Sequence, residues 1–137
     1  MNYWLVKSEP SAYSFDMLLK DKKTTWDGVR NYTARNHLKS MKKNDMVLFY
    51  HSNEGKEIVG IAKVVKEYYP DPTADDDTWV VVDLAPVKKL RKSINLETIK
   101  NHPILKSMLL VKIPRLSVMP VSVEEYETII QLSEHSE

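Results

Sequence analysis

The chain has no cysteine, which excludes a disulfide framework, a thiolate metal site and a cysteine nucleophile, and agrees with a reducing compartment. Metal ligands of other kinds are also thin. His37, His51, His102 and His135 are scattered, with no pair at ligand spacing, and the run Asp75-Asp76-Asp77 lacks the glycine and terminal glutamate of a calcium loop. It reads as a solvated acidic loop. The first residues, Met-Asn-Tyr-Trp-Leu-Val-Lys, lack the charged and apolar regions of a signal peptide, and no apolar run is long enough to span a membrane. An excess of one charge is missing as well. With 20 basic and 19 acidic residues the net charge is +1, too little for a protein coated to grip duplex backbone everywhere, though local patches remain open to it. No internal repeat or low-complexity segment is present. These absences set the expectation of a monomeric cytoplasmic protein with no metal, no cofactor and no membrane partner.

What is there suffices for one globular domain over residues 1–137, with 42% hydrophobic and 28% charged residues. Tyr3 to Lys7 reads as a short strand broken at Ser8-Glu9-Pro10, where Pro10 biases Glu9 toward extended backbone and leaves Ser8 and Glu9 at a strand end. Ser14 is a good N-cap for a helix with Phe15, Leu18 and Leu19 on one face. Met46 to Tyr50 and Ile58 to Val65 flank the turn Asn53-Glu54-Gly55-Lys56 and read as an antiparallel hairpin, Gly60 marking a bulge or bend. Trp79 to Ala85 reads as a strand, Asn95 to Asn101 as a short helix and Met108 to Ile113 as another strand. Ser122 caps a last helix that buries Val123, Tyr126, Ile129 and Ile130. Trp4 and Trp79, inside apolar strands, are assigned to the core. Modest strands interrupted by short helices predict an α+β domain on a small, strongly bent sheet or barrel.

The chemistry gathers between Trp26 and Asn53. Trp26-Asp27-Gly28-Val29-Arg30-Asn31-Tyr32 and Phe49-Tyr50-His51-Ser52-Asn53 bring aromatics, amides, a guanidinium and hydroxyls into two short clusters joined by a predicted helix. That mixture suits a polar ligand with a flat face. Gly28 permits a backbone conformation closed to other residues and close approach of a ligand to the main chain. Ala34, Leu38 and Met41 fall at i, i+4 and i+7 on the helix's apolar face. Arg30, Arg35, Lys39, Lys42 and Lys43 make a basic stretch with no acidic residue between Asp27 and Asp45. Lys88, Lys89, Arg91 and Lys92 form a second basic cluster.

Five segments together carry a resemblance to the EVE domain family: Tyr3 to Pro10, Trp26 to Tyr32, Phe49 to Asn53, Tyr69-Pro70-Asp71-Pro72-Thr73-Ala74, and Arg115-Leu116-Ser117-Val118-Met119-Pro120-Val121. They occur in order over nearly the whole chain. The resemblance implies a PUA-like small β-barrel with short flanking helices, related to the YTH domains that read methylated adenine in RNA and to the ASCH domains, some of which are enzymes. It also implies a pocket for a nucleobase, often a modified one. Carried over by position, the nucleobase site comprises Lys7, Ser8, Glu9, Trp26, Gly28, Val29, Asn31, Tyr50, His51 and Ser52, and the phosphate site comprises Arg30, Arg35, Lys39 and Arg115. Tyr126 stands where the family often has tryptophan, and Met46-Val47-Leu48 is more aliphatic than in some relatives.

The residues suit that chemistry. A base removed from its stack needs an aromatic surface and polar groups to read its edge. Trp26 and Tyr50 offer the surface; Ser8, Asn31, Ser52, Glu9 and His51 offer donors and acceptors; the cations position a strand without reading its sequence. The expected function is binding of RNA or DNA that contains modified bases, without catalysis. Plainer roles compete at single positions: Trp26 suits core packing, Arg30 a bridge to Asp27 or Glu9, and His51 a buried structural histidine. The enzymatic alternative is an ASCH-like hydrolase of a modified nucleoside with Lys7 or Glu9 as general base. A His51-Ser52 nucleophile is poor, because neighbours on a strand point to opposite faces.

Overall fold

The computed structural model describes residues 1–134. Six strands, β1 (Tyr3–Ser8), β2 (Thr24–Thr25), β3 (Met46–His51), β4 (Glu57–Pro70), β5 (Val80–Asn95) and β6 (Val118–Val121), are accompanied by helices α1 (Phe15–Asp21), α2 (Tyr32–Ser40), α3 (Leu96–Asn101), α4 (Leu109–Lys112) and α5 (Val123–Glu134), with β3 to β5 running on without a helix between them. They form one mixed sheet in the order β2-β5-β4-β3-β1-β6. β1 runs parallel to β3 and the other pairs are antiparallel. The α+β class holds, but the sheet is open, with β2 and β6 as its two edges and no closing pair between them among the described residues. Its bending comes from register shifts: four along β4–β5, and one in β3–β4 between Phe49 and Tyr50.

Interior positions in the sheet explain why β1 and β3 lack clean polar alternation. Leu5, Val6, Val47, Leu48 and Phe49 are fully buried, as expected of strands covered on both faces. α1 lies over this region, with Phe15 packed edge-on to Phe49 at 5.3 Å. Gly60 makes room for it, since a Cβ there would stand 2.4 Å from Phe15 Cζ. Ser14 caps α1 by accepting from Met17 N–H, and Asn31 caps α2 by accepting from Ala34 N–H. At α5 the Ser122 hydroxyl accepts from Glu125 N–H while the Glu125 carboxylate accepts from Ser122 N–H, a reciprocal capping box.

Three expectations are corrected. Met108 to Ile113 is no strand: a 3-10 turn, Leu105–Ser107, leads into α4, because a short apolar run carries no periodicity that separates strand from helix. Val123 is 54% exposed at the start of α5, while Ile129 is buried. Trp79 precedes β5 and is half-buried, with Tyr32 against it at 5.1 Å and the Arg30 guanidinium over its ring at 5.7 Å.

Candidate nucleic-acid interface

A cavity of about 570 Å³ opens where the end of β1 meets the segment that follows α1. β1 supplies Lys7 and Ser8, the turn before α1 supplies Ala12 and Tyr13, β2 supplies Thr24 and Thr25, the loop after it supplies Trp26 to Arg30, and Ser117 closes the side toward β6. The size lies within the range of ordinary small-ligand sites. β2 is short for a reason that matters here. After two residues paired with β5, the chain makes one more backbone contact, Trp26 N–H to Val82 O at 2.8 Å, and leaves the sheet.

Asp71 holds the departing loop. Its Oδ2 accepts from Gly28 N–H at 3.0 Å and from Arg30 Nη1 at 2.9 Å, and its Oδ1 accepts from the Thr73 backbone at 2.8 Å and hydroxyl at 2.6 Å. The carboxylate is buried. Burial by itself pushes its pKa up, but the hydrogen bonds from Thr73, Gly28 and Arg30 outweigh that and hold it well below the usual carboxylate range. Gly28 has φ +78 with no atom near the position of a Cβ, so the glycine answers to backbone conformation and leaves open space on the cavity side.

The cavity wall combines one aromatic with several polar groups. Trp26 is 9% exposed and meets the rings of Phe49 at 5.4 Å and Tyr13 at 6.5 Å, both edge-on. It is a core residue with one border on the cavity. Lys7 is half-buried, donates from Nζ to Pro114 O at 2.7 Å and lies 5.9 Å from the centre of the Tyr50 ring. Burial lowers its pKa. Ser8 donates its hydroxyl to Tyr13 O at 2.7 Å.

Of the expected nucleobase residues, Lys7, Ser8, Trp26, Gly28 and Val29 are brought together at this cavity, and Glu9, Asn31, Tyr50, His51 and Ser52 do not line it. Glu9 is exposed and accepts from the Asn53 amide. The Asn31 side chain caps α2. Tyr50 is buried, which raises its pKa, and touches the site only through Lys7. His51 Nε2 accepts from Phe15 N–H at 3.1 Å, facing a separate hollow of about 340 Å³ bordered by Asp16, Glu57 and Lys89. Ser52 donates its N–H to Ser8 O at 3.0 Å. Tyr50 pairs with Lys7 and His51 with Ser8 across β1–β3, so each shares its partner's face, and the split comes from packing: Tyr50 is buried with the Lys7 ammonium over its ring, and His51 is taken up by α1.

The cations divide likewise. Arg30 lines the cavity but is bonded to Asp71, and to Thr73 Oγ1 at 3.2 Å, in place of the Asp27 or Glu9 partner considered from sequence. Arg35 sits 5.1 Å over the Tyr32 ring and Lys39 5.5 Å over that of Tyr68. Arg115 is exposed two residues before Ser117. Sequence reasoning passed over Tyr13, Thr24, Thr25, Asp27, Ser117 and above all Asp71. The signal for Asp71 was present in the segment Tyr69 to Ala74, one of the five that carry the resemblance, yet nothing local indicates that its carboxylate reaches back to residue 28.

The EVE domain family model matches residues 2–132. Thymocyte nuclear protein 1 of Mus musculus is 40% identical over 168 aligned positions, covering 97% of this chain and 74% of the mouse protein. Among solved structures, protein Atu2648 from Agrobacterium tumefaciens superposes with a TM-score of 0.95 at 42% identity, covering 98% of this chain and 94% of that one. Human THYN1, solved in complex with 5-methylcytosine-containing DNA, gives a TM-score of 0.90 at 34% identity with full coverage of both chains. An ASCH protein from Zymomonas mobilis, at 11% identity and a TM-score of 0.61 over 96% of this chain and 99% of that one, shares the fold alone.

Proposed function

This chain belongs to the EVE domain family, and on that premise we propose that it binds nucleic acid by receiving one modified base in the cavity between β1 and residues 24–30. The first candidate is 5-methylcytosine in DNA, the component of the human THYN1 complex. The observation that carries the reading is the cavity itself: an indole border, five hydroxyl side chains and a desolvated ammonium group around space of about 570 Å³. Trp26 and Tyr13 offer apolar surface in exchange for the lost base stack, and Lys7, Ser8, Thr24, Thr25 and Asp27 offer donors and acceptors to a base edge. Arg35, Lys39 and Arg115 supply positive charge for flanking phosphates, and Arg30 contributes the donors that Asp71 and Thr73 leave free. Glu9, Asn31, Tyr50, His51 and Ser52 then serve by shaping the site, without touching the base. On the same reading the chain is a single EVE domain over 1–137.

Binding without turnover is part of the proposal. The competing reading is an ASCH-like hydrolase, and the observation in its favour is Lys7, an amine in the cavity whose pKa is lowered by burial as a general base requires. No orienting carboxylate among the described residues bonds to it. Titration of matched DNA oligonucleotides with and without 5-methylcytosine tests the reader, with a preference for the methylated strand that weakens in Lys7→Ala as the expected result. Equal affinity for both, unchanged by the substitution, rejects it. Conversion of a modified nucleoside that stops in Lys7→Ala would promote the enzyme.

A further inference from the structure

We propose that the outer face of α2 is a track for an unpaired strand, taking about three nucleotides that flank the base held in the cavity. This rests on the base-binding reading above. Tyr32 is 62% and Tyr68 47% exposed, two of the largest apolar rings on the surface. Each carries a cation over its ring, Arg35 at 5.1 Å on Tyr32 and Lys39 at 5.5 Å on Tyr68. The ion pairs among the described residues join Arg30 to Asp71, Lys88 to Glu134 and Lys89 to Asp16, so Arg35 and Lys39 keep their charge without a carboxylate partner there. Contact runs unbroken from the cavity to this face. Arg30 borders the cavity and overlies Trp79 at 5.7 Å, Trp79 meets Tyr32 at 5.1 Å, and α2 then leads about two turns on to Lys39.

Exposed cation–aromatic contacts add little to a helix already capped by Asn31 and packed through Ala34 and Leu38. Their alternation instead matches what a single strand presents, base faces for the rings and phosphates for the cations. In a duplex the base faces are hidden in the stack, so surface tyrosines would have nothing to stack on. From Tyr32 to Lys39 the helix advances about 10 Å, against roughly 3.4 Å per nucleotide in a stacked strand, which sets the length at about three. The loop Asp75 to Asp77 bounds one flank, where Arg35 Nη1 donates to Thr78 O at 3.3 Å and Asp76 accepts from Thr78 N–H at 2.9 Å. Its carboxylates repel phosphate and leave the Lys39–Tyr68 end as the direction in which the strand leaves.

Fluorescence anisotropy separates the track from the cavity. The probes are a single-stranded DNA trinucleotide centred on 5-methylcytosine, the same strand extended by three nucleotides on its 5′ or its 3′ side, and the duplex form. Extension on one side only is expected to tighten binding by at least about 10-fold. The double variant Tyr32→Ala with Tyr68→Ala should abolish that gain while leaving trinucleotide affinity, its preference for the methylated base and the melting temperature unchanged. Arg35→Gln with Lys39→Gln should reduce the slope of log affinity against log salt for the extended strand by about 1.4, two single-strand contacts' worth. No gain from either extension, a gain that survives the tyrosine variant, or a duplex that binds as tightly as the extended strand overturns the track. A trinucleotide bound without preference for the methyl group, with the one-sided gain intact, refutes the cavity reading and leaves the track standing.

Discussion

Residues 24–30 and residues 50–52 look alike in the sequence, each an aromatic beside small polar side chains, yet the fold uses them in opposite ways. Residues 50 and 51 stay in register with β1 and share the faces of Lys7 and Ser8, but packing takes them out of reach: His51 is held by α1, and Tyr50 is buried with the Lys7 ammonium over its ring. Residues 26–30 leave the sheet edge after β2 and have no ladder to bind them. Their shape is set by one distant carboxylate, Asp71, and their side chains border open space. Polar residues inside a sheet are thus spent on holding neighbouring elements, and polar residues where the chain departs from a sheet remain available to a ligand. The exception among residues 24–30 is Trp26, which joins both worlds, and it gives the comparison its hardest test.

Trp26→Ala should cost ~3 to 5 kcal/mol of folding stability, because the ring packs on Phe49 and Tyr13 in the core. Chemical denaturation measures it. A loss below about 1 kcal/mol would show that the indole belongs to the cavity alone. Trp26→Phe should fold and keep part of the binding.

Asp71→Ala comes next at about 3 kcal/mol, the lower end for breaking a buried pair because Arg30 can still reach water. Binding should fall in parallel as residues 26–30 lose their anchor. The pH dependence has a definite sign. Since the folded carboxyl is held below its ordinary value of 3.8, its contribution is full above about pH 4 and declines as acid protonates it. Asp71→Asn should remove that part of the acid-unfolding profile, and a profile identical to the parent's would contradict the assignment of Asp71 as the anchor.

Lys7→Met reverses the pattern, with affinity for methylated DNA weaker by ~1.5 to 3 kcal/mol and stability shifted by only about 0.5 kcal/mol. Calorimetric titration and a thermal melt read the two. Affinity left intact would take the ammonium group out of the interface.

The smallest effect is expected for His51→Ala, about 1 kcal/mol of stability from the lost acceptor of Phe15 N–H, with binding unaltered. Burial lowers the pKa of His51 below 6.5, opposed in part by Glu57 and Asp16 and reinforced by Lys89. The imidazole is therefore neutral in the fold, and protonation would also turn its acceptor into a donor. Its stabilisation is full above about pH 6.5 and is lost as pH falls toward the folded value. The variant should flatten the fall in stability that begins below about pH 6.5. Weaker binding in a variant of normal stability would instead return His51 to the ligand site.

Features that depend on neighbours along the chain were legible before any fold was known. Ser14 and Ser122 announced helix starts because a cap bonds within three residues, whereas Asn31, expected as a ligand group, caps α2 with its side chain. The β3–β4 hairpin and the α+β class followed from turn residues and apolar runs, and the family followed from five ordered segments. Tertiary structure decided everything that required knowing what lies across a gap. Whether the sheet closes depends on its two outermost strands, which are 93 or more residues apart between Thr25 and Val118. Whether Trp26 packs or lines depends on Phe49 and Tyr13, and which half of the polar stretch meets a ligand depends on a carboxylate at position 71 bonding to an amide at position 28. A motif records residue types at fixed spacing; the direction of each side chain is set by strand register and by the element packed against it, and neither is a property of the local sequence.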